Sequence, residues 1–173
     1  THNKTSFTFS ASARRMWFLY VGLTLLQSIL LYVGGMGIFD SVCHAFTSMA
    51  TGGFSTKQAS VGYWDSAYIQ YVMVIFMFIA GCNFGLLYMA VKGNILKLLK
   101  DNEFQLYIGI TVVSSLIIGI GLYLSDWGNL EKSFRDATFQ VVTLMTTTGY
   151  ATADYLLWPP LLGFILLLLM FTG

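Results

Sequence analysis

Residues 39–56 read FDSVCHAFTSMATGGFST, and residues 135–152 read RDATFQVVTLMTTTGYAT. Set one above the other, the two stretches run without a gap at a constant offset of 96, from Phe39 to Arg135. Asp40 and Asp136, Thr47 and Thr143, Met49 and Met145, Thr51 and Thr147, Gly53 and Gly149, and Thr56 and Thr152 coincide, and Phe54 stands opposite a second aromatic, Tyr150. Self-similarity at a fixed spacing marks a repeated structural unit. Each stretch begins as a short semi-apolar helix, over Phe39–Ala50 and Leu130–Thr146, and then enters Thr/Gly/Ser-rich sequence. Such a helix is too short or too polar to cross a bilayer. Followed by an extended run, it predicts a re-entrant segment, entering as a half-helix and leaving as a loop.

The surrounding sequence supplies the membrane. Apolar blocks run over Met16–Gly35, Ala67–Val91 and Phe104–Leu124, and a fourth begins near Tyr155 with Pro159 and Pro160 in its first turns. About 20 apolar residues suffice for a crossing helix, and proline is tolerated where the first helical N–H groups lack partners. Arg14, Arg15, Lys92, Lys97 and Lys100 fall on one side of these blocks, and Lys57, Lys132 and Arg135 on the other. The richer side is cytoplasmic by the positive-inside rule, which puts both re-entrant stretches on the outer side. The fold class read from this pattern is an all-α membrane protein of tandem helix–pore loop–helix units. Residues 1–13 form a cytoplasmic linker, 14–100 a first unit and 101–173 a second, cut short in its last helix. Met77-Phe78 and Met170-Phe171 match at an offset of 93, so the second unit has a shorter segment after its loop. The block Leu156–Gly173 is still apolar where the sequence stops, and the chain therefore reads as part of a longer polypeptide.

Composition agrees. Of 173 residues 56% are hydrophobic and only 10% charged, with mean hydropathy +0.70, whereas soluble domains are about a quarter charged. A net charge of +1 gives no electrostatic footprint for nucleic acid. Cys43 and Cys82 are too few and too far apart for a metal or redox motif and read as small buried residues.

A non-helical backbone inside a membrane exposes carbonyl and N–H groups at a cost of several kcal/mol each, unless it packs in protein or lines a polar path. A dehydrated cation gives such carbonyls a purpose, because it needs oxygens in place of its water shell. Threonine adds a hydroxyl at the inner end. Gly53 and Gly149 can take backbone angles closed to other residues. Phe54 and Tyr150 should point away from the axis and brace the loops. The negative C-terminal ends of the half-helices favour a cation. Neither loop carries Asp or Glu, so carbonyls rather than carboxylates would form the site.

Thr51-Gly52-Gly53-Phe54 and Thr147-Thr148-Gly149-Tyr150 resemble the potassium-channel filter signature. The wider strings HAFTSMATGGFST and TTTGYATADYLLWP resemble the Trk/Ktr/HKT potassium-transporter superfamily, and its bacterial TrkH branch above all, over nearly the whole chain from Arg14. The resemblance implies four non-identical units around one pore, of which this chain holds two, the second and third. It implies potassium uptake across the plasma membrane, the bacterial inner membrane, with no covalent cofactor and with potassium held only by filter carbonyls. It further implies a homodimer, a cytosolic nucleotide-binding regulatory subunit of the TrkA kind, and a gate in a glycine-rich loop that begins near Thr172 and Gly173.

Other polar and aromatic residues have simpler readings. Asp40 and Asp136 read as carboxylates stabilised near the start of a pore helix. Asn83 reads equally as a pathway residue or an interhelical hydrogen bonder, and Gly81 and Gly85 as close-packing positions. His44 reads as a packing or hydrogen-bonding residue, Gln27 and Ser28 as bonds between helices, and Trp17, Trp64, Trp127 and Trp158 as an interfacial belt. Two alternatives remain at this level. One is a sodium-coupled or sodium-passing relative; the paired glycines argue for potassium. The other is a membrane-embedded enzyme, for which the sequence offers no His-x-x-x-His, no Gly-x-Ser-x-Gly and no intramembrane aspartate pair.

Overall fold

A computed structural model describes residues 2–172. Helix α1 (His2–Val33) contains a crossing segment, Ala13–Val33, and a half-helix α2 (Ile38–Met49) follows it. Helices α3 (Ala67–Ala80) and α4 (Phe84–Val91) return the chain, and a short α5 (Ile95–Leu99) leads to the next unit. There α6 (Asn102–Leu124) crosses, α7 (Leu130–Met145) forms the second half-helix and α8 (Pro160–Leu169) follows the loop. The two half-helices thus lie where the repeat places them. The helix of α1 already begins at His2, within the stretch 1–13 read as a linker.

The ends of these helices have chemical causes. Gly34 and Gly35 stop α1: Gly35 adopts φ +103°, and the N–H groups of Gly35 and Met36 close onto the carbonyls of Tyr32 and Leu31, a glycine-capped Schellman turn. Asp101 starts α6 by accepting the N–H of Phe104 at 3.1 Å, an N-cap. Pro160 opens α8 at its first position.

Two apolar clusters hold the halves. In the first, Leu31, Ile69, Met73, Phe76 and Met77 surround Phe139, Val142 and Tyr150, which belong to the second repeat. The core of the first unit is therefore completed by the second unit's half-helix. The other cluster joins Ile118 and Leu122 of α6 to Ala137, Val141, Trp158, Leu162 and Leu166. Small residues set the spacing in α6. A Cβ on Gly119 would lie 2.6 Å from the Phe134 ring, and one on Gly121 would lie 2.8 Å from Leu162. Leu25, Leu26 and Ile29 of α1 and Val112, Val113, Leu116 and Ile120 of α6 are exposed, the outward apolar faces that lipid requires.

The second apolar block departs from the expectation of one continuous span. It breaks after Ala80, and α4 turns 107° from α3. Gly81-Cys82-Asn83 leaves the helix, and Asn83 caps α4 by accepting the Gly85 N–H at 2.9 Å. Asn83 thus satisfies a donor at a helix start. The fourth block is helical only from Pro160, after a single 3-10 turn at Tyr155–Leu157. The tryptophan belt also needs correction. Trp158 is buried in the second core, Trp64 lies edge-on to His44, and the Trp127 indole donates to Asp136 at 3.2 Å. Three of the four tryptophans pack around the half-helices because their rings fill the space between helix and loop, and Trp17 alone of the four is largely exposed.

Candidate functional site

Each half-helix ends in the same hydrogen-bonded turn. In the first, the N–H of Thr51 donates to Ser48 at 3.0 Å and that of Gly52 to Thr47 at 2.7 Å. In the second, the N–H of Thr147 donates to Leu144 at 3.1 Å and that of Thr148 to Thr143 at 2.9 Å. These are Schellman turns like the one after α1, but a threonine replaces the glycine. Thr51 and Thr147 hold φ of +48° and +55°. The left-handed region costs an L-residue about 1–2 kcal/mol and is an outlier for a β-branched one. Such strain persists only where neighbours hold it.

Two residues later the chain is left-handed again, at Gly53 (φ +66°) and Gly149 (φ +89°), with Gly52 and Thr148 between them outside that region. The two loops thus share one backbone signature, positive φ at the threonine and again at the glycine two residues on, in a segment that is not helical. The dipoles of α2 and α7 present their negative ends to the same loops.

The side chains leave the axis to the backbone. Thr148 is buried, with its hydroxyl 2.7 Å from that of Thr146, which in turn donates to the Val142 carbonyl at 2.8 Å. Tyr150 is 1% exposed. Its N–H donates to the Thr143 hydroxyl at 2.8 Å, and its ring stacks on His44 with centroids 5.7 Å apart. Its hydroxyl reaches the other unit, where it donates to the His44 carbonyl at 3.2 Å and meets the Thr47 hydroxyl. Tyr150 therefore braces its loop as expected. Phe54 does not: it is 76% exposed, and only its carbonyl is tied, accepting from Thr47 at 2.9 Å. The difference is positional, because the unit that stands behind Tyr150 has no counterpart in this chain behind Phe54.

The two loops meet at Gly53. A Cβ there would lie 1.9 Å from the Thr148 carbonyl oxygen, whereas one on Gly149 would have nothing within 4 Å. Gly53 is thus required twice over, by its backbone angle and by the neighbouring carbonyl.

Polar residues hold the loops from behind. His44 is fully buried. Its Nδ1 lies 2.7 Å from the Asp40 carbonyl and its Nε2 lies 2.9 Å from the Ser55 hydroxyl. A carbonyl only accepts, so Nδ1 carries the proton and Nε2 accepts from Ser55. Gln140 occupies the equivalent place in α7 and donates to the Ala153 carbonyl at 3.5 Å. At the outer end, Asp40 accepts from the Thr56 hydroxyl at 2.6 Å and pairs with Lys57 at 3.5 Å. That hydrogen bond and the nearby ammonium hold its carboxyl below the usual value. Asp136 lies deeper, seven residues into α7, and is buried. Asp40 fits the reading of a carboxylate in a helix's first turn, but Asp136 does not.

The sequence pointed to the loops and missed their supports. Thr47 and Thr143 coincide in the repeat, and that coincidence was the available signal for the residues tying half-helix to aromatic. Nothing local marked His44 and Gln140 as equivalent, since their side chains differ. Of the residues placed at a gate, Thr172 follows α8 in a turn, donating to the Leu169 carbonyl at 2.7 Å; Gly173 lies outside the described residues. No cluster of metal-ligating side chains occurs among the described residues.

Two crossing helices, each followed by a half-helix whose strained turn feeds an extended loop, give the chain the architecture of a pore-loop membrane protein. Residues 3–173 match the family model described as TrkH, cation transport protein, and the chain belongs to that family. It is 36% identical to the Trk system potassium uptake protein TrkH of Salmonella typhimurium over 173 residues, 99% of this chain and 36% of the relative. It is 30% identical to TrkG of Escherichia coli over 168 residues, 94% of this chain and 34% of that protein. The crystal structure of the potassium transporter TrkH from Vibrio parahaemolyticus superimposes with a TM-score of 0.87 at 34% identity, over 92% of this chain and 35% of that one. The chain thus spans about a third of the length of the curated relatives it matches.

Proposed function

We propose that this chain supplies two consecutive helix–pore loop–helix units, 14–100 and 101–173, of a potassium uptake protein of the plasma membrane. Thr51–Phe54 and Thr147–Tyr150 line half of its selectivity filter with backbone carbonyls. The observation that carries this reading is the recurrence, at an offset of 96, of a left-handed threonine and a left-handed glycine in both loops. Two relatives bear names that state potassium uptake, and a transporter needs no covalent cofactor. The sodium-passing alternative is disfavoured by glycine in both loops, and the enzyme alternative by membership of a transport family. The same proposal assigns Thr172 and Gly173 to the approach of a gate, and a homodimer and a cytosolic nucleotide-binding subunit to the whole protein.

The test is Gly53→Ser in the full-length protein, assayed by potassium and sodium flux in proteoliposomes. A side chain forced against the Thr148 carbonyl costs about 1–3 kcal/mol, enough to change the potassium-to-sodium flux ratio roughly tenfold. An unchanged ratio in properly inserted protein would refute the filter assignment.

A further inference from the structure

Ala151 follows the second filter loop, yet both of its backbone polar groups are taken by the first unit. Its N–H donates to the Ser60 hydroxyl oxygen at 3.2 Å, and its carbonyl accepts the N–H of Gly62 at 3.0 Å. Ser60 and Gly62 belong to a 3-10 turn, Ser60–Tyr63, whose Val61 is fully buried in the first core. The turn is closed by the Ser60 N–H on Lys57 at 3.0 Å and the Trp64 N–H on Val61 at 3.1 Å. Its position is therefore set by its own hydrogen bonds and by the first core as well as by the loop it touches.

Two details show that the contact is built. Ser60 is held at φ +54°, a conformation that glycine or asparagine would adopt with less strain. Serine there brings a hydroxyl that glycine lacks. Gly62 is the converse case: its φ is ordinary, but a Cβ would lie 2.9 Å from the Thr152 carbonyl oxygen and 3.4 Å from the Thr152 Cα. Only glycine lets the two backbones run this close. Tyr150 anchors the same strand one residue earlier, on His44 and Thr47. The second loop is thus clamped to the first unit at its aromatic and again at its outer end.

We propose that Ser60 and Gly62 are positioning residues for the second filter loop: by holding Ala151 they fix the height and direction of the Gly149 and Tyr150 carbonyls and so sharpen the discrimination of potassium from a smaller cation. This rests on the filter reading above. Carbonyls held apart cannot close around a smaller ion, so freeing one end of the row relaxes selectivity. A cavity of about 430 Å³, lined by Gln58, Ser60, Gly62, Ala151, Thr152 and Asp154 among others, lies beside the clamp and has room for water. Water can take the place of the Ser60 hydroxyl, and the effect of removing it falls on position and not on overall stability.

The experiment uses full-length protein carrying Ser60→Gly or Ser60→Asn. Glycine keeps the left-handed turn and deletes the acceptor; asparagine tolerates the turn and restores an acceptor. Expected for Ser60→Gly are a potassium-to-sodium flux ratio lower by roughly fivefold, the weight of one net hydrogen bond, and faster hydrogen exchange in a peptide spanning 149–153. Its melting temperature should stay unchanged, and Ser60→Asn should recover both signals. A turn-forming role alone predicts that Ser60→Gly is neutral or stabilising, and an unchanged exchange rate at 149–153 overturns the clamp whatever the ion fluxes are. Faster exchange with an unaltered flux ratio overturns the link to selectivity. A wild-type protein without preference for potassium sinks the filter reading instead, and the exchange measurement still decides the clamp.

Discussion

At the scale of single residues, the site depends on backbone conformations that few side chains tolerate and on groups that compensate for them. Thr51 and Thr147 occupy left-handed positions where the end of α1 uses glycine. What threonine adds there is a hydroxyl beside the path, and the hydrogen bonds of the half-helix turn hold the strain in place. Thr47 and Thr143 accept two backbone N–H groups each, from Gly52 and Gly53 and from Thr148 and Gly149. Tyr150→Phe isolates the contribution of the cross-unit hydroxyl. It removes the bond to the His44 carbonyl and the contact with Thr47, while the stacked ring and the N–H bond to Thr143 remain. A buried hydroxyl of this kind contributes about 1–2 kcal/mol. Thermal unfolding of the full-length protein should show that loss in Tyr150→Phe. Equal stability of Tyr150→Phe and wild type would remove the brace from the account. These residue roles were half legible: the repeat revealed Gly53, Gly149 and the aromatics, but Thr148 and Ser60 act through contacts between units that no local pattern encodes.

At the scale of elements, the sequence located both half-helices and two spans, because apolar length and the repeat are strong local signals. It did not foresee the break after Ala80. The residues Gly81-Cys82-Asn83 sit inside an apolar run, and a helix can continue through Gly and Asn at modest cost. What breaks it is tertiary. A Cβ on Gly81 would lie 2.6 Å from the Tyr107 hydroxyl and 2.7 Å from Thr146 Cγ2, so the chain passes directly against the end of α7. There the Tyr107 hydroxyl donates to the Phe78 carbonyl at 3.1 Å, and the Cys82 thiol donates to the same oxygen at 3.2 Å. These bonds satisfy a carbonyl that the helix end leaves free. Gly81→Ala should therefore destabilise by about 1–3 kcal/mol through overpacking. Tyr107→Phe removes one of the two obstructing groups, so the double variant should be less unstable than the sum of the singles. A double-mutant cycle read by thermal unfolding checks this, and strict additivity would show that Gly81 and Tyr107 do not meet.

At the scale of the molecule, the two repeats are not separate domains, because residues of the second complete the core of the first. The interface visible here has two halves. The first loop offers Gly53 to the Thr148 carbonyl, and the second loop sends Tyr150 back into α2. The same two features are left without partners at the outer edges. Phe54, equivalent to Tyr150, is 76% exposed, and Gly149, equivalent to Gly53, has open space where a Cβ would go. Phe54 is exposed where its repeat mate is buried, and relatives about three times as long have the chain to cover it. If the contact between these two units recurs in the full-length protein, a preceding unit's half-helix should cover Phe54 and a following unit's loop should face Gly149. In the full-length protein, with Cys43 and Cys82 replaced, Phe54→Cys should resist a maleimide in the folded state and react once unfolded. Leu116→Cys, on the lipid face of α6, should be protected from a water-soluble reagent only while the protein is in a bilayer or micelle. Rapid modification of the folded Phe54→Cys protein would mean that no unit stands behind the first loop, and the ring around a single axis would have to be abandoned.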